Sequence, residues 1–163
     1  MLSFETEPLA EDVAVVGPIT VELYVSSDAP DTDFTAKLVD VYPPSKDYPT
    51  GYALNITDGI IRCRYRNSFE KPEPIVKGEV FKVTIEPFAT ANLFAKGHRI
   101  RVDISSSNFP KYDINPNSYA PEGRGRTSQV ARNTVFCDGT RPSAIRLPIV
   151  GGAAMVALKP IAK

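Results

Sequence analysis

The chain has 163 residues, 42% of them hydrophobic, and its 19 basic and 19 acidic side chains cancel to zero net charge. A chain of that size is one domain by prior and buries roughly 68–70% of its unfolded surface, enough for a core without covalent staples. Balanced charge leaves no electrostatic footprint for nucleic acid or an anionic membrane, and no apolar run approaches the ~18–20 residues of a membrane span.

Fifteen prolines and ten glycines cut the chain into short runs, none long and periodic enough for a helix. Met1 is followed directly by a strand-like segment, with no charged-then-apolar leader, so a cytoplasmic setting is expected. After the Gly17-Pro18 turn, Ile19, Val21, Leu23 and Val25 alternate with polar partners as a half-buried strand. Asp28-Ala29-Pro30-Asp31 is turn chemistry. The next run places Phe34, Ala36 and Leu38 on one face, then Val39 and Val41 on the opposite parity, which a bulge or burial on both faces would explain. Pro43 to Gly51 is a loop, and Tyr52 to Thr57 a short strand. Asp58-Gly59 then turns into a strand with Ile61, Cys63 and Tyr65 inward and Arg62, Arg64 and Arg66 outward. Phe81, Val83 and Ile85 alternate after Gly78. Gly97 opens the most regular strand, with Ile100, Val102 and Ile104 on one face and Arg99, Arg101 and Asp103 on the other; this turn calls for positive φ, which glycine alone takes without a Cβ clash. Lys111 to Arg132 is a long polar insertion, the segment expected to be disordered. Thr134 to Phe136 and Ile145, Leu147 and Ile149 complete the strands, and residues 151–163 are expected to form a tail. Many short strands with no internal repeat make an antiparallel sandwich the expected all-β fold.

Three stretches, in order, carry a family resemblance. Ala29-Pro30-Asp31-Thr32-Asp33-Phe34-Thr35-Ala36-Lys37-Leu38-Val39-Asp40-Val41, then Asp58-Gly59-Ile60-Ile61-Arg62-Cys63-Arg64-Tyr65-Arg66, then Gly97-His98-Arg99-Ile100-Arg101 with Ser105-Ser106-Ser107-Asn108-Phe109-Pro110, resemble the C-terminal domain of the cocaine esterase / X-Pro dipeptidyl-peptidase (CocE/NonD) group of serine acyl hydrolases. With Arg141-Pro142-Ser143 and Leu147-Pro148, the resemblance covers about Leu2 to Val150. It implies a galactose-binding-like jelly-roll β-sandwich over residues 1–150. It also implies that the family's sandwich starts upstream of Leu2, and that the partners are a catalytic α/β-hydrolase domain and a helical cap.

The chemistry of such enzymes is acyl transfer by a serine on a G-x-S-x-G elbow, activated by a histidine and an acid. None of the eleven serines here lies in that pattern. The single histidine, His98, follows the turn glycine, and in the resembling family the triad histidine belongs to the hydrolase domain; His98 is expected to be structural. No catalytic residue, cofactor or metal site is assigned. Asp28, Asp31 and Asp33 could offer oxygens to calcium, but they lack the glycine and terminal glutamate of a calcium loop and read as turn residues that meet nearby arginines. Cys63 reads as a small buried hydrophobe, and nothing in the spacing supports a disulfide to Cys137.

The arginine comb at Arg62, Arg64 and Arg66 has two readings. It pairs locally with carboxylates such as Asp40, Glu79 or Asp103, or it docks on an acidic face of a hydrolase domain. Val39 and Val41 are the second expected interdomain surface, and in isolation a site of self-association. The functional expectation is a non-catalytic domain that clamps hydrolase and cap together and shapes the acyl pocket of an ester or amide hydrolase, X-Pro peptides included. The alternative is a free-standing carbohydrate- or ligand-binding sandwich. Tryptophan, the usual platform in such modules, is absent, which leaves Tyr48, Tyr112 and Tyr119.

Overall fold

The computed structural model describes residues 1–121, 127–151 and 158–161. In chain order the strands are β1 (Leu2–Glu5), β2 (Val13–Gly17), β3 (Thr20–Ser27), β4 (Asp33–Tyr42), β5 (Tyr52–Arg62), β6 (Phe81–Ile85), β7 (Thr90–Phe94) and β8 (Arg99–Ser105). β9 (Asn133–Asp138), β10 (Arg141–Pro142), β11 (Ala144–Arg146) and β12 (Lys159–Pro160) follow, and a single 3-10 turn, Cys63–Tyr65, is the only helical piece among the described residues. Every strand pairing is antiparallel. One sheet runs β12-β1-β8-β4-β5; the other is built on β3, with β6 on one side and β9 and β11 on the other; β2 and β7 form a short ribbon. This is the expected jelly-roll sandwich.

The alternating residues meet between the sheets. Phe34, Ala36 and Leu38 of β4 and Ile100, Val102 and Ile104 of β8 pack in one core with Val21, Leu23, Val25, Val83 and Ile85 of the second sheet. Cross-strand pairing sets Leu38 beside Val102 and Ala36 beside Ile104, so β8 lies at the centre of its sheet, as its regularity predicts. Each valine, leucine, isoleucine or phenylalanine among them, sealed from water, contributes about 1.5–3 kcal/mol.

Three expectations are corrected and one, the bulge, is located. Asp58-Gly59 is no turn: β5 passes straight through it, with Asp58 opposite Lys37 and Gly59 opposite Ala36. The glycine is needed for close approach, since a Cβ there would stand 3.0 Å from the backbone of Pro87 and from the Ile85 side chain. The parity switch after Leu38 does coincide with a bulge, but the extra residue is Ile56 of β5, because Leu38 faces Thr57 while Val39 faces Asn55. The strand expected through Arg66 stops at Arg62 and curls into the 3-10 turn. In the insertion expected to be disordered, residues 111–121 are closely bonded to the first sheet, as described below; residues 122–126, with Gly123 and Gly125, lie outside the described residues. Of the expected tail, residues 152–157 and 162–163 also lie outside them, while Lys159 and Pro160 pair with Glu5 and Phe4.

Gly97 has the positive φ expected, +84°, and a Cβ there would have no neighbour within 4 Å. A β-branched residue at this site therefore meets backbone strain alone, on the order of 1–3 kcal/mol. Gly97→Val is expected to lower the midpoint of thermal unfolding, and Gly97→Asn to lower it much less, because asparagine tolerates left-handed backbone. Equal midpoints for the two variants would show that the turn does not depend on φ.

Candidate functional site

The first segment of interest begins where β4 begins. Asp31 and Asp33 are two residues apart and both buried. A carboxylate removed from water must be met by a cation or by hydrogen-bond donors, or it destabilises the fold by several kcal/mol. Asp33 receives a two-pronged bond from Arg62, Nε to Oδ1 at 3.1 Å and Nη2 to Oδ2 at 3.2 Å. Asp31 receives the backbone N–H of Arg64 at 3.0 Å and its Nε at 2.7 Å. The 3-10 turn makes this possible: by breaking the strand alternation it swings Arg64 inward, where it is buried.

A third donor comes from far along the chain. Asn115 Nδ2 donates to Asp33 Oδ1 at 2.6 Å and Asp31 Oδ2 at 3.1 Å, and the Arg64 guanidinium continues to the carbonyl of Ala120 at 3.0 Å. The guanidinium also lies 4.7 Å from the ring centroid of Tyr119, whose hydroxyl donates to the carbonyl of Pro72 at 2.9 Å. Burial raises the Asp33 carboxyl above its ordinary value, against the pull of Arg62 and Asn115. Its charge is therefore a cost to the fold at neutral pH, a cost that protonation removes.

The arginine comb does not stand wholly outward, and each of its members is engaged within the domain. Arg64 is buried, Arg62 holds Asp33, and Arg66 donates to the carbonyls of Cys63, Glu73 and Pro74. The local pairing is present with partners other than those expected: Asp103 is bonded to Arg101 and Asp40 to His98. Asp28 accepts the backbone N–H of Arg132. The aspartates therefore turn the chain and meet arginines, and among the described residues no three histidine, cysteine, aspartate or glutamate side chains group as metal ligands. Cys63 is buried, and burial pushes its thiol far above the ordinary value; both cysteines are free.

Val39 and Val41 do not form the exposed pair expected. Val39 is 3% exposed, flanked across the strands by Arg101 and Asn55, and Val41 is half-buried. Val39 itself is therefore covered, while Val41 keeps partial exposure beside the exposed Tyr42. His98 stands just before β8 with Nδ1 2.9 Å from Oδ1 of the buried Asp40 and its ring 4.2 Å from that of Tyr42. No serine hydroxyl is bonded to it among the described residues.

A second anchor ties the same segment to the sheet. Asp58 is reached by Lys111 Nζ at 2.8 Å, Asn55 Nδ2 at 3.1 Å and the Tyr112 hydroxyl at 3.2 Å. Burial works to raise the Asp58 carboxyl, and these bonds outweigh it and hold it below its ordinary value. Neither Asn115 nor the Asp58 anchor was visible in the sequence. The only trace was a pair of close aspartates that needed more donors than two arginines supply.

Residues 1–146 match the sequence model of the family described as the X-Pro dipeptidyl-peptidase C-terminal non-catalytic domain. The chain belongs to this family. Among relatives of this C-terminal domain, cocaine esterase of Rhodococcus sp. is 45% identical over 152 residues, 92% of this chain and 25% of the relative. Two solved structures superpose closely. An α-amino acid ester hydrolase has a TM-score of 0.84 at 35% identity, over 90% of this chain and 25% of that one. An aminopeptidase from a marine sediment Thaumarchaeota archaeon has 0.85 at 32%, over 91% and 25%. The C-terminal domain thus spans about a quarter of the length of the relatives it matches.

Two outcomes are expected of the anchors. Arg64→Met leaves Asp31 buried with its main cation gone, a loss of about 3–5 kcal/mol in denaturant unfolding, and opens the chain near Tyr119 to limited proteolysis; retained stability would mean that Asn115 and backbone donors suffice. Asp58 carries the opposite sign to Asp33. A carboxyl held below its unfolded value stabilises above about pH 4 and loses that contribution as pH falls through its folded value. The stability difference between the natural protein and Asp58→Asn is therefore expected to be largest near neutral pH and to shrink in acid, as pH falls through and below the ordinary carboxylate range; a difference independent of pH would remove the carboxylate's charge from the account.

Proposed function

We propose that this chain is the non-catalytic domain of a serine acyl hydrolase, where it holds the hydrolase and cap domains together and forms part of the rim of the acyl pocket. The observation that carries the reading is the family match over residues 1–146 together with relatives about four times as long. The composition of the site supports it. Asp31, Asp33 and Arg64 are engaged within the domain, His98 is committed to Asp40, and none of the eleven serines lies on an elbow. A group that performs acyl transfer needs nucleophile, base and acid in hydrogen-bond reach, and here only a base and an acid meet. The nucleophile then belongs to another part of the parent protein, and substrate choice with it. Esters and amides, including X-Pro peptides, are the substrate class proposed for that parent.

The sequence encoded upstream of Leu2 tests this directly: a G-x-S-x-G segment followed by an acid and a histidine is expected, and a coding region lacking them would favour a free-standing binding module. The purified chain alone is expected to hydrolyse neither p-nitrophenyl esters nor Ala-Pro-p-nitroanilide. Turnover that is abolished by His98→Ala would overturn the reading.

A further inference from the structure

We propose that the surface by which this domain meets the catalytic part of its parent is the segment Asn108–Tyr119 together with Phe88, and that the Asp31/Asp33 clamp exists to hold that surface ready; this rests on the reading above. The segment has no ladder of its own. It is fixed instead by side chains: Asn115 on both aspartates, Lys111 and Tyr112 on Asp58, and Tyr119 on Pro72. Asn117 and Gln129 exchange side-chain bonds with one another's carbonyls at 2.9 and 2.7 Å. Two of its residues that are not glycine have positive φ, Asn117 at 61° and Tyr119 at 53°. Backbone held in that region costs free energy, most of all for a bulky residue such as Tyr119, and persists only where the surroundings over-determine it.

The outward side of this costly segment carries large apolar side chains among the charged Lys111 and Asp113. Phe109 is 65% exposed and Ile114 51%, and Phe88 at 71% lies beside Lys111, whose ammonium is 5.6 Å from its ring centroid. Phe88 is itself fixed, because its carbonyl accepts the Thr57 hydroxyl at 2.9 Å and the preceding Pro87 sits on Gly59. The fold gains nothing from side chains left in water. Exposed aromatic and aliphatic side chains on a braced segment, with a cation beside one of them, have the composition of an interface hot spot, and the fixed backbone beneath them reduces the entropy lost on contact.

The size of the patch selects its occupant. Three side chains cover far less than the roughly 1,200–2,000 Å² of a stable association between free proteins. A partner on the same polypeptide needs far less, because tethering supplies a high effective concentration. The relatives, of which this domain is a quarter, have such a partner's length available. The patch therefore fits the catalytic part of the same polypeptide and is too small to hold a second copy.

The test places p-benzoylphenylalanine, one position at a time, at 88, 109 and 114 of the complete parent polypeptide, irradiates it and maps the products by mass spectrometry. Cross-links within one polypeptide, from at least two of the positions into the segment carrying the serine elbow, are expected. Cross-links to a second copy, or none from any position, would overturn the proposal. Intramolecular cross-links into another segment of a parent that carries the elbow elsewhere, such as its cap, would overturn this placement and leave the hydrolase reading standing, whereas such cross-links in a parent with no serine elbow anywhere would uphold the contact surface and sink the hydrolase reading.

Discussion

Two carboxylates sealed inside the entrance of β4 impose a demand that much of this domain is arranged to meet. Asp31 and Asp33 cannot both remain charged without cations and donors close by. Arg62 and Arg64 come from the end of β5, which must stop alternating to deliver both to the same side of the chain. The remaining lone pairs draw in Asn115 from eighty-odd residues downstream. Once Asn115 is fixed, the carbonyl of Ala120 and the ring of Tyr119 come within reach of the Arg64 guanidinium. A long connection without secondary structure thereby acquires one shape. Hydrophobic residues of similar volume could supply comparable stability, but they would not dictate where a loop lies.

The two faces of the first sheet therefore obey different physics. Between the sheets, packing is apolar, and the residues there are the ones that alternate in the sequence. On the outer face the cross-strand neighbours are Arg101, Val39 and Asn55 in one row and Asp103, Lys37 and Asp58 in the next. Charge alternates across that second row, and the sheet gains from opposite charges on adjacent strands. A face of this kind is half-buried without being apolar, which is why valine parity was a poor guide to what it touches.

The core strands could be read from the sequence because period-2 alternation states which side chains leave water, and β3, β6 and β8 alternate cleanly. The bulge at the Leu38/Val39 step left a trace for a related reason, since it breaks that same period. What alternation cannot describe is a strand whose termination is electrostatic. Arg62, Arg64 and Arg66 alternate perfectly, yet the backbone turns at Cys63 because Asp31 binds the N–H and the guanidinium of Arg64 together. Asp58-Gly59 misled in the opposite way, since a common turn pair is also what a strand needs where another backbone crosses at 3.0 Å. Asn115 was illegible for a simpler reason: a polar residue in a polar loop looks the same whether it faces water or two buried aspartates.

The pairing of β3 has a consequence for how the chain reaches this state. Thr20, Val21 and Glu22 line up with Arg146, Ile145 and Ala144, on a strand made more than 120 residues later. β1 likewise waits for β8, and Asp31 and Asp33 wait for Asn115. Closing such long loops is paid in chain entropy before any contact repays it, so sandwiches with distant pairings fold slowly compared with helical bundles. During synthesis at about 5–20 residues per second, the edge of β3 that β11 later covers stays open for several seconds after β3 has emerged. Throughout that interval the nascent sheet presents unpaired backbone to its surroundings, and between the emergence of Arg64 and that of Asn115 the aspartate pair has its arginines but not its asparagine. The last strands of this domain are thus a commitment step, and a ribosome stalled before residue 144 would leave attached a sheet with one side unsealed.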